Sequence, residues 1–178
     1  MKNVKGYKRL NYKEHLRLNR YYGAIHNAAY FFNKYFVNQN VIYYTDNLCL
    51  KVKARKSNFM HLCGIKYEKG AASFFTDALN KNIDENSIYI KKDGTTFQKL
   101  QVLPQFKELI GKNVRVTRGY KYLLLSFDYA LRTNKEILAL TLIDRINSDV
   151  IPQSLLNLHS MKKFSKGKKV IKIEFKSR

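Results

Sequence analysis

The stretch Lys169-Val170-Ile171-Lys172-Ile173-Glu174-Phe175-Lys176 alternates apolar and charged side chains from Ile171 onward. A period of two belongs to a β-strand with one buried and one wet face, so Ile171, Ile173 and Phe175 are expected inward and Lys172, Glu174 and Lys176 outward. The same period runs through Val114–Tyr120, Tyr122–Tyr129 and Glu136–Ile143, joined by short polar turns such as Arg132-Thr133-Asn134-Lys135. The last third of the chain therefore reads as an antiparallel sheet of about four strands. Ile151-Pro152-Gln153-Ser154 interrupts it as the start of a short helical turn through Leu158, and residues 160–168 read as a basic loop.

Working back toward the N-terminus, the period lengthens to that of a helix. Leu18, Tyr22, Ile25, Ala29, Phe32 and Phe36 recur at spacings of three and four, which predicts one long helix over residues 11–38. Val41–Tyr44 and Leu48–Lys53 then form a hairpin around Thr45-Asp46-Asn47, with Lys51, Lys53 and Arg55 on its wet face. Ser57 or Asn58 caps a short helix that Gly64 closes. A second helix covers about residues 70–82, Ile88–Ile90 is a short strand, and Thr95 starts a third helix that Pro104 ends or kinks before Phe106–Ile110 resumes it. Helices first and strands last imply an α+β fold: N-terminal helices on a C-terminal antiparallel sheet, with an additional N-terminal hairpin. No linker or repeat divides residues 1–178, which read as a single domain with a basic helix at 1–38, a core at 41–158 and a basic loop and final strand at 160–178.

Thirty-four Lys and Arg against 13 acids give a net charge of +21. Such a field repels itself, and its usual use is the attraction of a polyanion, so nucleic acid is the expected partner. Charge alone does not separate RNA from DNA. Residues 1–22 hold seven basic side chains and one acid, and residues 162–178 hold eight and one. Lys13, Arg17 and Arg20 share a helix face, Lys51, Lys53 and Arg55 a strand face, and Arg118, Lys162, Lys163, Lys168 and Lys169 the C-terminal part; all are candidate phosphate contacts. No apolar run is long enough to span a membrane, and no secretory leader is evident. Cys49 and Cys63 lack metal spacing and read as reduced core thiols of a cytoplasmic protein.

Phosphate-cradling glycine loops, paired Cys or His ligand sets and the Gly-x-Ser-x-Gly elbow are all missing. The scattered acids form no cluster fit for a two-metal nuclease, so neither metal nor cofactor is expected. What remains suits RNA cleavage without metal, which needs proton-transfer groups and cations around a developing phosphorane charge. A non-catalytic module for structured RNA, or a mobile-element interaction protein serving DNA, has the same composition.

Ser57-Asn58-Phe59-Met60-His61-Leu62-Cys63-Gly64-Ile65 sets one histidine among apolar neighbours at a turn-to-helix junction. This segment, the helix Ala71–Leu79, Thr96 to Lys99, Ser126 after an apolar strand, and Leu140-Thr141-Leu142 followed by Ile151-Pro152-Gln153-Ser154 are the carriers of a resemblance. Over about residues 41–158 the chain resembles the phage-associated branch of the barnase–EndoU–colicin–RelE-like nuclease superfamily. The resemblance implies helices on a four-stranded antiparallel sheet whose exposed face cleaves RNA without metal, leaving a 2′,3′-cyclic phosphate, in the manner of toxin-like endoribonucleases. It further implies His61 as general acid or base, Lys99 as a phosphate ligand, and Ser126 and Thr141 pointing from central strands to substrate, with Arg118 and Ser154 as further candidates. A toxin-like activity needs restraint, by a small protein inhibitor or antitoxin or by a neutralising RNA.

Overall fold

In the computed structural model, residues 4–119, 121–122, 125–133, 135, 137–145, 149–160 and 164–178 are described. The apolar stripe of the first helix is present, but the helix is broken into α1 (Tyr12–Asn19) and α2 (Tyr22–Tyr35). Asn11 and Glu14 start α1 with a reciprocal capping box. At the break the amides of Arg20 and Tyr21 turn to Arg17 O and Leu18 O, three residues back, so the ladder tightens and restarts. Leu18, Ile25, Ala29, Phe32 and Phe36 stay buried across the break. Their rings meet others: Phe32 lies 5.6 Å from Phe59, 5.9 Å from Phe75 and 6.0 Å from Phe106, centroid to centroid. This aromatic cluster ties α2 to the three later helical segments that hold Phe59, Phe75 and Phe106.

The expected hairpin is formed by β2 (Gln39–Tyr44) and β3 (Cys49–Lys53). The other strands are β1 (Tyr7–Arg9), β4 (Ile65–Tyr67), β5 (Ile88–Lys91), β6 (Arg115–Arg118), β7 (Lys121–Tyr122), β8 (Leu125–Ser126), β9 (Tyr129–Arg132), β10 (Leu138–Arg145), β11 (Asp149–Asn157), β12 (Lys168–Lys169) and β13 (Lys172–Ser177). Three helices complete the helical set: α3 (Asn58–Cys63), α4 (Ala71–Leu79) and α5 (Thr95–Val102), the last running into a 3-10 helix at Leu103–Ile110 that holds Pro104.

The fold is α+β, but its main sheet corrects the expected count of about four strands. Eight strands lie in the order β12-β6-β9-β10-β11-β3-β2-β13, and β11 pairs with β3 in parallel, so the sheet is mixed. That pairing is what joins the N-terminal hairpin to the C-terminal meander. Three further expectations are corrected. Tyr122–Tyr129 is no single strand: β7 and β8 make a separate two-stranded hairpin before β9 begins at Tyr129. Ile151–Asn157 is no helical turn but most of β11, and Leu158 instead opens a 3-10 turn over Leu158–Ser160. A β-bulge between Thr141 and Leu142 leaves Gln153 as the extra residue, and Pro152 still pairs with Leu142. Cys63 is buried but Cys49 is exposed.

The last two strands, β12 and β13, occupy the two ends of the sheet. Lys168 pairs with Val116 of β6, and Lys172 pairs with Tyr44 of β2, so one ten-residue segment curls the sheet toward closure. Between them the Val170 amide donates to Val114 O and the Ile171 amide to Tyr44 O, at 3.0 and 2.8 Å. Because β13 is an edge, its expected inward face is largely open: Ile171 is 69% exposed and Phe175 42%. Phe175 lies against the Tyr35 ring, 5.7 Å from it centroid to centroid. A smaller antiparallel sheet, β1-β5-β4, flanks α3 and α5. Among the described residues no helix is long and apolar enough to cross a membrane.

Gly167 lets the segment approach β6. Its φ is +66°, and a Cβ there would run into the Val116 carbonyl. Gly167→Ala is expected to cost about 1–3 kcal/mol and lower the melting temperature in a thermal scan, whereas Lys166→Ala next to it leaves the melt unchanged.

Candidate active site

The site grows from the shortest helix. In α3 the side chains of Phe59, Met60, Leu62 and Cys63 are buried, which forces the remaining member of that turn, His61, outward into solvent. Asn58 fixes the start of the helix. Its Oδ1 accepts from the Arg55 amide at 2.7 Å and its Nδ2 donates to Pro152 O at 3.2 Å, so one side chain holds α3 against β11. Gly64 ends the helix in the left-handed region at φ 68°, its amide donating to His61 O.

The fit at Gly64 is close because α5 passes directly beside it. A Cβ there would lie 2.9 Å from Lys99 Cδ and 3.1 Å from Thr96 Cα. Thr96, fully buried, donates its hydroxyl to Gly64 O at 2.6 Å and accepts from the Lys91 amide at 2.9 Å. Lys99, one turn on, donates from Nζ to His61 O at 3.2 Å and to Ser154 Oγ at 2.7 Å. The ammonium thus joins the C-terminal end of α3 to β11, where a cation also complements the helix dipole.

From Ser154 a chain of polar contacts crosses the sheet. Thr141 Oγ1 donates toward Ser154 O and Gln153 Oε1, both at 3.2 Å, and Gln153 Nε2 donates to Ser126 O at 3.1 Å. The bulge is what brings both Gln153 and Ser154 within reach of Thr141. His61, Lys99, Ser154, Thr141 and Ser126 are therefore gathered along one line. Their exposure differs: His61 and Ser126 are open to solvent, whereas Thr141 is 0% exposed, so its hydroxyl positions β11 and does not face outward. Nothing in the sequence marks Gln153, because a helical turn over Ile151–Ser154 has no place for the bulge that brings it to Thr141.

Electrostatics sets the protonation states. Crowding by the protein, then the positive charges of Lys99 and Lys91, holds the His61 imidazole below its ordinary 6.5, so it is neutral at pH 7. Burial is also the largest influence on Lys99, with Lys91 adding to it and Cys63 and Asp93 opposing; its pKa is pushed down to about 8. Burial raises the Cys63 thiol, which stays protonated. A neutral imidazole, an ammonium close to neutrality and two serine hydroxyls form a set able to move a proton and bind an oxyanion.

The candidate phosphate contacts are more dispersed. Lys51 and Lys53 both pair with Asp149, Lys168 pairs with Asp46 at 2.9 Å, and Arg17 stacks 4.2 Å over the Phe97 ring of α5. Lys13, Arg20, Arg55, Arg118 and Lys169 are exposed. Lys162 and Lys163 lie outside the described residues. A cavity of about 410 Å³ lies elsewhere, lined by Tyr22, His26, Ala78, Lys81 and Glu85 but not by His61. Among the described residues, no three His, Cys, Asp or Glu side chains gather as a metal-ligand group.

A family model described as phage-Barnase-EndoU-ColicinE5/D-RelE like nuclease4 matches residues 24–177. The match takes in α2, every element of the His61 site and the final strand, and leaves out β1 and α1. Neither the curated proteins nor the solved structures yield a significant match.

Two measurements check this geometry. Gly64→Ala pushes Lys99 off its bridge, and the Lys99 ammonium, followed by NMR, is expected to titrate closer to the 10.5 of a free lysine than to 8. Lys99→Gln removes a positive neighbour, so the His61 imidazole pKa is expected to rise in the folded protein.

Proposed function

The chain belongs to this family of phage nucleases, and from that premise we propose that it is a metal-independent endoribonuclease of toxin or host-interference type. The observation that carries the reading is the contact of Lys99 with both the His61 carbonyl and Ser154. It sets an ammonium and a hydroxyl against the helical turn that carries an outward-facing, neutral imidazole. In the proposed reaction His61 takes the 2′-hydroxyl proton, and the 2′-oxygen attacks phosphorus. The P–O5′ bond breaks, and the leaving 5′-oxygen takes a proton from water, whose hydroxide is neutralised by the proton that His61 gives up, leaving a 2′,3′-cyclic phosphate, a 5′-hydroxyl and a neutral imidazole. Lys99 and Ser154 bind the non-bridging oxygens as negative charge builds on them. Ser126 lies at the far end of the line as a substrate contact, with Thr141 and Gln153 as positioning residues.

The charge supports an RNA strand laid over an open surface. Arg17 of α1 lies over the Phe97 ring of α5, and the exposed Arg55 precedes α3, so each of the two helices that build the site has a cation next to it. A neutralising partner, either a small acidic protein or an RNA on the basic face, follows from an activity that harms its own cell. A binding module without catalysis is the second reading. It is favoured by the fact that Lys99 already has protein partners, as a purely structural lysine would.

Mixed RNA incubated with the protein in EDTA is expected to be cut and to carry 2′,3′-cyclic ends. His61→Ala is expected to lose about 10²–10⁴ in rate, and Lys99→Gln about 10²–10³, with both variants still folded by circular dichroism. The rate is expected to fall below the imidazole pKa, where His61 is protonated and cannot accept, and above about 8, where Lys99 loses its charge. Tight, salt-sensitive binding that leaves the RNA intact would establish the binding module instead.

A further inference from the structure

Lys91 ends β5, and nothing in the sequence distinguishes it from the other 33 basic residues. The fold does. Its backbone amide is held by Thr96, the same threonine that grips Gly64 O, so Lys91 is fixed to the joint between α3 and α5. Its side chain lies over the Tyr7 ring, with Nζ 4.8 Å from the ring centroid. Tyr7 faces it because β1 pairs with β5 in the register Tyr7↔Lys91, a pairing extended by the Lys92 amide donating to Gly6 O. Among the described residues Lys91 makes no ion pair with a carboxylate, although Asp93 lies two positions on, held by the amide and hydroxyl of Thr95.

Two ammonium groups and an imidazole in one place repel one another. The charge of Lys91 reaches both Lys99 and His61, and the titratable groups otherwise acting on Lys99 are Cys63 and Asp93. The Asp93 carboxylate, on which the Lys91 charge also acts, offsets part of this repulsion; a phosphate bound beside the two ammonium groups would offset more of it. The aromatic face of Tyr7 restrains the Lys91 ammonium over the ring. β1 lies outside the residues that match the family model, so Tyr7 is an addition to the nuclease core made by this chain's N-terminal segment.

We propose that Lys91, held by the Tyr7 ring, is a second phosphate-binding cation of the His61–Lys99 site and contacts the backbone of the bound nucleic-acid strand. The proposal rests on the nuclease site described above and adds a subsite to it. Tyr7 acts as a positioning residue through Lys91.

The test uses the full chain and a fluorescent, uniformly 2′-O-methylated oligoribonucleotide, which binds but offers no 2′-hydroxyl for cleavage. Affinity is measured across a salt series. Lys91→Gln is expected to weaken binding about tenfold at low salt and to reduce the slope of log K against log salt by about 0.7, the loss of one phosphate contact on a single strand. Lys91→Arg restores the slope, and Tyr7→Leu, with β1 kept, weakens binding by part of the Lys91→Gln loss. In parallel, Lys91→Gln is expected to raise the His61 imidazole pKa by NMR, an effect that a lysine solvated away from the site would not have. A folded Lys91→Gln protein with unchanged salt slope and unchanged His61 titration overturns the proposal. Since the probe cannot be cut, these readouts stand apart from cleavage. Lack of RNA cleavage with the Lys91 effects intact overturns the ribonuclease reading alone.

Discussion

The contact on which the site depends is the Lys99 ammonium set between the His61 carbonyl of α3 and the Ser154 hydroxyl of β11. It requires a glycine at 64, since a side chain there would displace the lysine, and it requires the β11 bulge, which turns Ser154 toward α5 while Gln153 engages Thr141. Burial of the ammonium lowers its pKa, and its charge in turn helps keep His61 neutral. Geometry and protonation state are thus outcomes of one arrangement, in which helix capping, strand register and electrostatics are coupled.

A chain of net charge +21 must place its few acids with care. Asp149 sits between Lys51 and Lys53, Asp46 meets Lys168, Glu14 meets Lys8, Glu68 meets Arg9, and Glu174 lies against Lys172. These pairs are partly exposed, and each adds little to stability alone. Their effect is on the distribution of charge. Repulsion is relieved along the hairpin, around the C-terminal strand and beside β1, while the surface at His61 and Lys99 keeps its positive potential. Asp93 is the carboxylate that Lys99 feels, and it is engaged by Thr95.

Local patterns carried much of the fold. The Thr45–Asn47 turn and the Gly64 stop are legible because each depends on residues a few positions apart; the expected cap of α3 is not made, since Ser57 has no side-chain cap hydrogen bond and Asn58 accepts from the Arg55 amide instead. The parallel pairing of β11 with β3 was not legible, since it joins residues about a hundred positions apart. Pro152 looked like a helix start, and only the tertiary bulge at Thr141 makes it a strand residue. The alternation of Ile171–Lys176 correctly gave a strand, yet alternation cannot say whether a strand lies at an edge, and β13 does. For the site, the outward direction of His61 follows from its apolar neighbours in one helical turn. The burial of Thr141 and the recruitment of Gln153 follow from a register that the sequence does not display.

The central claim is that the 2′-hydroxyl of the substrate is the attacking group at a His61–Lys99 site that needs no metal. Paired oligonucleotides of one sequence, one all-ribose and one all-2′-deoxy, incubated with the protein in EDTA, test it most directly. The account predicts that the ribose strand is cut to cyclic-phosphate ends, that His61→Ala stops this, and that the deoxy strand survives. Cleavage of both strands at similar rates, or cleavage of either only when a divalent metal is restored, would contradict it.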